Sequence, residues 1–159
     1  MKSYINNLKG LFIKSIIKNF VIALASFLIC LATKKPLISP KANMILAFLA
    51  MIFILLSFIM GRKKYQRSIL KIKQNSLGEK LNEYDAATKK QLLYFTIMTI
   101  TSSVCYIVSY QPLYLLFSIL SIALIVLNIP NKSRLRFELN LKDEELNKIF
   151  EPINKKNNV

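Results

Sequence analysis

Charged and apolar residues are sorted into blocks along this chain instead of being interleaved at helical or strand spacing. Charge-free runs cover positions 19–33 (15 residues), 42–61 (20) and 91–131 (41). About 20 mostly apolar residues form a helix that crosses roughly 30 Å of hydrocarbon. The second run meets that requirement alone. The third is about twice too long for one crossing, and Pro112 divides it. Proline lacks a backbone N–H, disfavours helix at the residue before it, and suits the first turn of a new helix. The pattern predicts an all-α membrane protein of four transmembrane helices, with spans at about 15–33, 43–61, 92–110 and 113–129. These are expected to form a compact bundle of two helical hairpins, with short amphipathic cytoplasmic helices. Residues 1–159 read as a single polytopic membrane domain, with a cytoplasmic loop at 62–90 and a cytoplasmic tail at 131–159.

The first run reaches span length only if the helix continues through Lys18, whose ammonium can extend to the headgroups. A cleaved signal peptide is the competing reading. Against it, the small residues Ala23 and Ala25 lie inside the apolar run, where a cleavage site is badly placed.

With four crossings, the N-terminus, the 62–90 loop and the tail share one side. Twenty of the 23 Lys and Arg residues and all eight acids lie there, leaving Lys34, Lys35 and Lys41 on the other. Basic residues beside span ends are retained in the cytoplasm. Both termini are therefore expected inside and the Gln111-Pro112 turn outside. The net charge of +15 is accounted for by this asymmetry and by contact with anionic headgroups. No nucleic-acid-binding pattern accompanies it, and no nucleic-acid partner is expected. Lys, Ile and Asn usage (19, 22 and 13) points to an AT-rich bacterial genome, and so to a bacterial cytoplasmic (inner) membrane.

In lipid, helices associate through small residues and interhelical hydrogen bonds. Each span carries a stripe at spacings of three and four, which lies along one face. The stripes are Asn19, Ala23, Ser26, Cys30 and Thr33 in span one, and Asn43, Ala47, Ala50, Ile54, Ser57 and Gly61 in span two. Span three offers Thr96, Thr99, Ser103, Tyr106 and Tyr110, and span four Ser118, Ser121 and Ala123. Thr96, Thr99, Ser103 and Tyr106 are expected to serve as a packing face. The alternative is that these hydroxyls line a polar path for a solute.

Arg62, Lys63, Lys64 and Arg67 in the loop, with Arg134 and Arg136 in the tail, are expected to anchor the chain to anionic headgroups. Tyr65, Ile69 and Ile72 share a helix face beside basic residues, so this stretch is expected to lie on the leaflet surface. Ser76 and Glu79 have capping-box spacing and predict a helix start near Leu77. A short tail helix is expected after Asp143, with Leu146, Ile149 and Phe150 as its apolar face and Pro152 as its stop. It is expected to dock within the chain.

Candidate chemistry is sparse. There is no histidine, and glycine occurs only at positions 10, 61 and 78, too few for a phosphate-binding loop. Cys30 and Cys105 have no metal-ligand spacing. They are expected to be small packing residues, with a disulfide as the alternative. No span contains Asp, Glu, Arg or His, the groups that proton relays and intramembrane enzymes require. No catalytic, cofactor-binding or metal-binding residue is expected.

These features predict a non-enzymatic accessory, regulatory or immunity-type subunit. It would act by helix–helix contact with another membrane protein or with itself. In size, basicity and layout the chain resembles several kinds of small bacterial membrane protein, self-protection proteins against membrane-active toxins among them, but no residue carries over. A transporter or passive-channel subunit and a holin-like permeabiliser are the rival readings.

Overall fold

The computed structural model describes residues 2–33, 35–72 and 76–150. Six helices and no strand occur among these residues: α1 (Lys2–Thr33), α2 (Pro40–Ile72), α3 (Leu77–Ser109), α4 (Pro112–Leu127), α5 (Lys132–Leu139) and α6 (Asp143–Phe150). Three helices, α1 to α3, are long and apolar enough to cross a membrane. There are four if α4 and α5, bent by 82° at a short break, form one interrupted span. The chain is all-helical, with three to four candidate membrane-spanning helices.

At 32 or 33 residues, α1, α2 and α3 are about 50 Å long at 1.5 Å per residue, well beyond the roughly 30 Å of a hydrocarbon core. The expected surface-lying stretch after Gly61 is instead a continuation of α2. Its apolar face is not on a leaflet: Tyr65, Ile69 and Ile72 are buried with Leu81 and Tyr84 of α3 and Leu8 and Phe12 of α1. Helix persists beyond the apolar run because each extension finds an apolar partner on its neighbours. Leu135 and Leu139 of α5, then Leu146 and Ile149 of α6, complete this core. α5 packs on α2, and α6 on α1. Lys34, Lys73 and Pro152 lie outside the described residues.

The predicted boundaries that rest on local chemistry are present. Ser76 precedes α3, with its N–H and Oγ donating to the Glu79 carboxylate at 3.2 and 2.9 Å. Tyr110 ends α3 in the left-handed region (φ 61°), and Gln111 and Pro112 open α4.

α3 is the hub, packing on α2, α4 and α1, and α1 also packs on α4. The two-hairpin expectation is met for α3 and α4 only. α1 and α2 are consecutive but have no extensive contact, because the small and hydroxyl face of α1 is taken by α3 and α4. Residue pairing gives the helix directions. The Tyr4 hydroxyl donates to the Leu81 carbonyl (2.9 Å), Asn19 Nδ2 to Thr96 Oγ1 (3.2 Å) and the Tyr110 hydroxyl to the Cys30 carbonyl (2.6 Å). Numbers rise together on both helices, so α1 and α3 are parallel. α2 and α4 run antiparallel to α3, through Lys64–Tyr94 and Ser103–Ser118. Both short connections, near residues 37 and 111, therefore lie at one end, where the Leu37 N–H donates to the Val108 carbonyl (3.0 Å).

Candidate functional site

The hydroxyl face of α3 lies inside the helix cluster. Thr96, Thr99, Ser103 and Tyr106 are all buried, as are Asn19, Ser118 and Ser121 on the facing helices. Their polar atoms are largely used on one another or on the preceding turn. Thr99 and Ser121 share a hydroxyl–hydroxyl hydrogen bond, and Ser103 and Ser118 approach at 3.4 Å. Thr96 and Thr99 also donate to the Leu92 and Phe95 carbonyls, at 3.0 and 3.2 Å. Beyond this layer Cys30, Cys105, Tyr106 and Tyr114 form a small second core. Both cysteines are free thiols, and Cys30 Sγ donates to the Tyr106 carbonyl at 3.5 Å. Two residues of the predicted stripes, Thr33 and Ala123, are exposed instead.

A second polar cluster, not anticipated from the sequence, sits where the long helices leave their apolar runs. The Glu138 carboxylate is its centre. Oε2 accepts from the Tyr65 hydroxyl of α2 (2.7 Å) and the Tyr84 hydroxyl of α3 (2.9 Å). Oε1 accepts from Arg134 Nε at 2.9 Å. The Arg134 guanidinium continues to Asn128 Oδ1 (2.7 Å) and the Leu127 carbonyl (3.3 Å). With side chains only 22% and 15% exposed, this is a shielded, multiply hydrogen-bonded pair rather than a surface ion pair. Tyr65 and Tyr84 lie outside the membrane-spanning stretches. Burial above all pushes both phenols well above their ordinary range, with the charge of Glu138 a lesser contribution in the same direction, so they remain donors.

Local sequence places the pair. Asn131 caps α5 by accepting from the Arg134 N–H (2.7 Å), and Asn140 ends it in the left-handed region. Arg134 and Glu138 are then one helical turn apart and side by side. That spacing was legible. The two tyrosines that complete the cluster were not, since they come from helices 54 and 73 positions away.

Next to this cluster lies a partly open cavity of about 290 Å³ between α2, α3, α4 and α5, with Arg62, Gln66 and Gln91 among its polar lining. Of the predicted headgroup anchors, Arg134 is engaged by Glu138, and Arg136 reaches Asp143 (3.1 Å) on α6. Lys64 donates to the Tyr94 hydroxyl (2.7 Å), and its ammonium lies 5.3 Å from that ring's centre. Arg62, Lys63 and Arg67 are exposed. No group of three or more His, Cys, Asp or Glu side chains that could hold a metal is found among the described residues. Searches with protein-family models, curated proteins and solved structures find no match to this chain.

Proposed function

We propose that this chain is a four-span protein of a bacterial cytoplasmic membrane, with both termini cytoplasmic. It acts without catalysis as an accessory, regulatory or immunity-type subunit through helix–helix contacts, its partner being another membrane protein or a second copy. The observation that carries this reading is the inward placement of the polar stripes. The hydroxyls of α3 meet those of α4 and the amide of Asn19, while the outward faces are Leu, Ile, Phe and Met. A solute path needs polar groups free to face the solute, and the hydroxyls of Thr96, Thr99, Ser103, Ser118 and Ser121 are engaged with each other or with their own backbone. α2 packs on α3 but has no extensive contact with α1 or α4. Its exposed Met44, Phe48, Ile52 and Leu55 leave a broad apolar face for a partner helix.

The parallel pairing of α1 with α3 supports the topology, because two crossings in one direction require α2 to return between them. α4 has 16 residues, about 24 Å of helix, and runs back along α3 to the basic end, which supports a fourth crossing. With twenty of 23 basic residues at that end, the positive-inside rule makes it cytoplasmic.

Reporter fusions after Gln111 and between α2 and α3 test the topology. The first is expected outside and the second inside; the reverse would refute the orientation. Photo-crosslinking from Phe48 and Ile52 in cells is expected to capture a membrane partner or a second copy. A chain that stayed monomeric and uncrosslinked would refute the contact reading. Ion or solute flux in liposomes that vanished in Thr99→Leu would favour a channel.

A further inference from the structure

The cavity beside Glu138 is graded in polarity along α2, α3 and α4. Towards the basic end, its lining passes from Phe58 to Arg62 and Gln66 on α2, from Phe95 to Gln91 on α3, and from Leu124 of α4 to its C-cap Asn128. These steps of four residues keep each set on one helix face. The change from apolar to polar therefore falls at the same level on each helix, where the apolar runs give way to charge. α2 and α4 have no extensive contact with each other, so the cavity is walled on that side by the gap between two helices.

Three polar side chains of its lining, Arg62, Gln66 and Gln91, have no partner among the described residues. Gln91 is only 6% exposed, lines the cavity, and its amide makes no hydrogen bond to another described residue. The amide opens into the cavity, so its donor and acceptor are available to whatever occupies it. Arg62 also faces the cavity with no carboxylate paired to it. The other charges there, Arg134 and Glu138, cancel in their ion pair, so the lining carries one net positive charge. Asn128 is already engaged, donating to the Leu124 carbonyl (2.6 Å) and accepting from Arg134.

We propose that this cavity binds the phosphate-bearing headgroup of an anionic membrane lipid. Arg62 supplies the charge, Gln91 and Gln66 supply hydrogen-bond donors, and the apolar end beside Phe58, Phe95 and Leu124 receives the start of the acyl region. Basic pockets between membrane helices on the cytoplasmic side recognise such headgroups through this combination. A volume of about 290 Å³ holds a headgroup and not a whole lipid, being at the small end of ligand sites; the chains extend along the gap between α2 and α4. The inference rests on the membrane reading above, and it adds a specific site to the diffuse attraction of a basic surface.

The experiment is native mass spectrometry of the full-length protein released from detergent, titrated with phosphatidylglycerol, with phosphatidylcholine or with inorganic phosphate. One phosphatidylglycerol is expected to be retained in preference to phosphatidylcholine. Arg62→Ala and Gln91→Glu are each expected to weaken that retention roughly tenfold. Lys63→Ala, the same charge change one residue away, is expected to leave it nearly unchanged. Gln91→Glu preserves size while placing a carboxylate against the phosphate, so it reads the site without opening a void. An elution profile matching the wild type shows that each variant is folded. Equal retention of the two lipids, or equal loss in Arg62→Ala and Lys63→Ala, would overturn the site. Saturable binding of inorganic phosphate that excluded the lipid would move the source from headgroup to free anion and refute the lipid assignment. A chain that stayed in solution without detergent would instead remove the membrane reading itself, which separates the two failures.

Discussion

The Tyr84 hydroxyl donates a 2.9 Å hydrogen bond to the Glu138 carboxylate across 54 positions of sequence. That one contact ties the tail to the central helix, and Tyr65 repeats it from α2 at 2.7 Å. α5 is thereby held at the place where α2, α3 and α4 leave their apolar runs.

Removing the carboxylate is expected to release α5. Glu138→Ala leaves the Arg134 guanidinium unpaired and both phenols without an acceptor. Because the pair is partly solvated, the expected loss is roughly 2–3 kcal/mol, short of the full cost of a deeply buried pair. Glu138→Gln keeps an acceptor and should lose less. Thermal unfolding in detergent measures the difference, and limited proteolysis near residues 128–132 should accelerate in the alanine variant.

Alkaline pH is expected to weaken the same region. Burial, first among the causes, raises the phenols of Tyr4, Tyr65 and Tyr84. Above the unfolded phenol's value of about 10, the folded chain holds protons that the unfolded chain has released. This contribution is therefore intact below about pH 9 and declines as pH rises beyond about 10. Denaturation midpoints across that range should fall, and Tyr65→Phe with Tyr84→Phe should flatten the decline.

At Gly61, α2 lies directly against Tyr94 of α3. A Cβ there would lie 2.9 Å from Tyr94 Cβ and 3.1 Å from its Cγ, atoms too near the α3 backbone to swing away. Gly61→Ala is expected to push the helices apart, cost about 1–3 kcal/mol as overpacking does, and break the Lys64–Tyr94 hydrogen bond. A lowered melting temperature, with Gly10→Ala neutral or slightly stabilising because its Cβ meets open space, would bear this out.

The hydroxyl layer should respond as packing. Thr99→Val keeps the shape but loses the bond to Ser121, which costs roughly 0.6 kcal/mol within a membrane bundle. Thr99→Leu adds volume at a fully buried position and should cost about 1–3 kcal/mol. Stability in detergent separates the two. If both were neutral, the layer would not be a packed interface.

Much of this architecture is written locally. Apolar run length locates α1 to α3, the ring of Pro112 breaks the longest run, and Ser76 with Glu79 starts α3. The small and hydroxyl stripe of α3 is the face it buries, because in lipid those residues alone gain by close approach. Arg134 and Glu138 could be paired from their spacing. Hydrophobicity, ring geometry and capping act within a few residues, so a single chain reports them directly.

Only the tertiary structure decided how far each helix runs and which neighbour it meets. Tyr65, Ile69 and Ile72 form the same amphipathic face on a leaflet or against another helix; Leu81, Tyr84 and Phe12 make it a buried core and carry α2 through it. The parallel match of α1 with α3, the peripheral place of α2, the convergence of two tyrosines on Glu138, and the cavity beside Arg62 and Gln91 share one cause. Each depends on surfaces far apart in sequence fitting together, and that complementarity has no local signature.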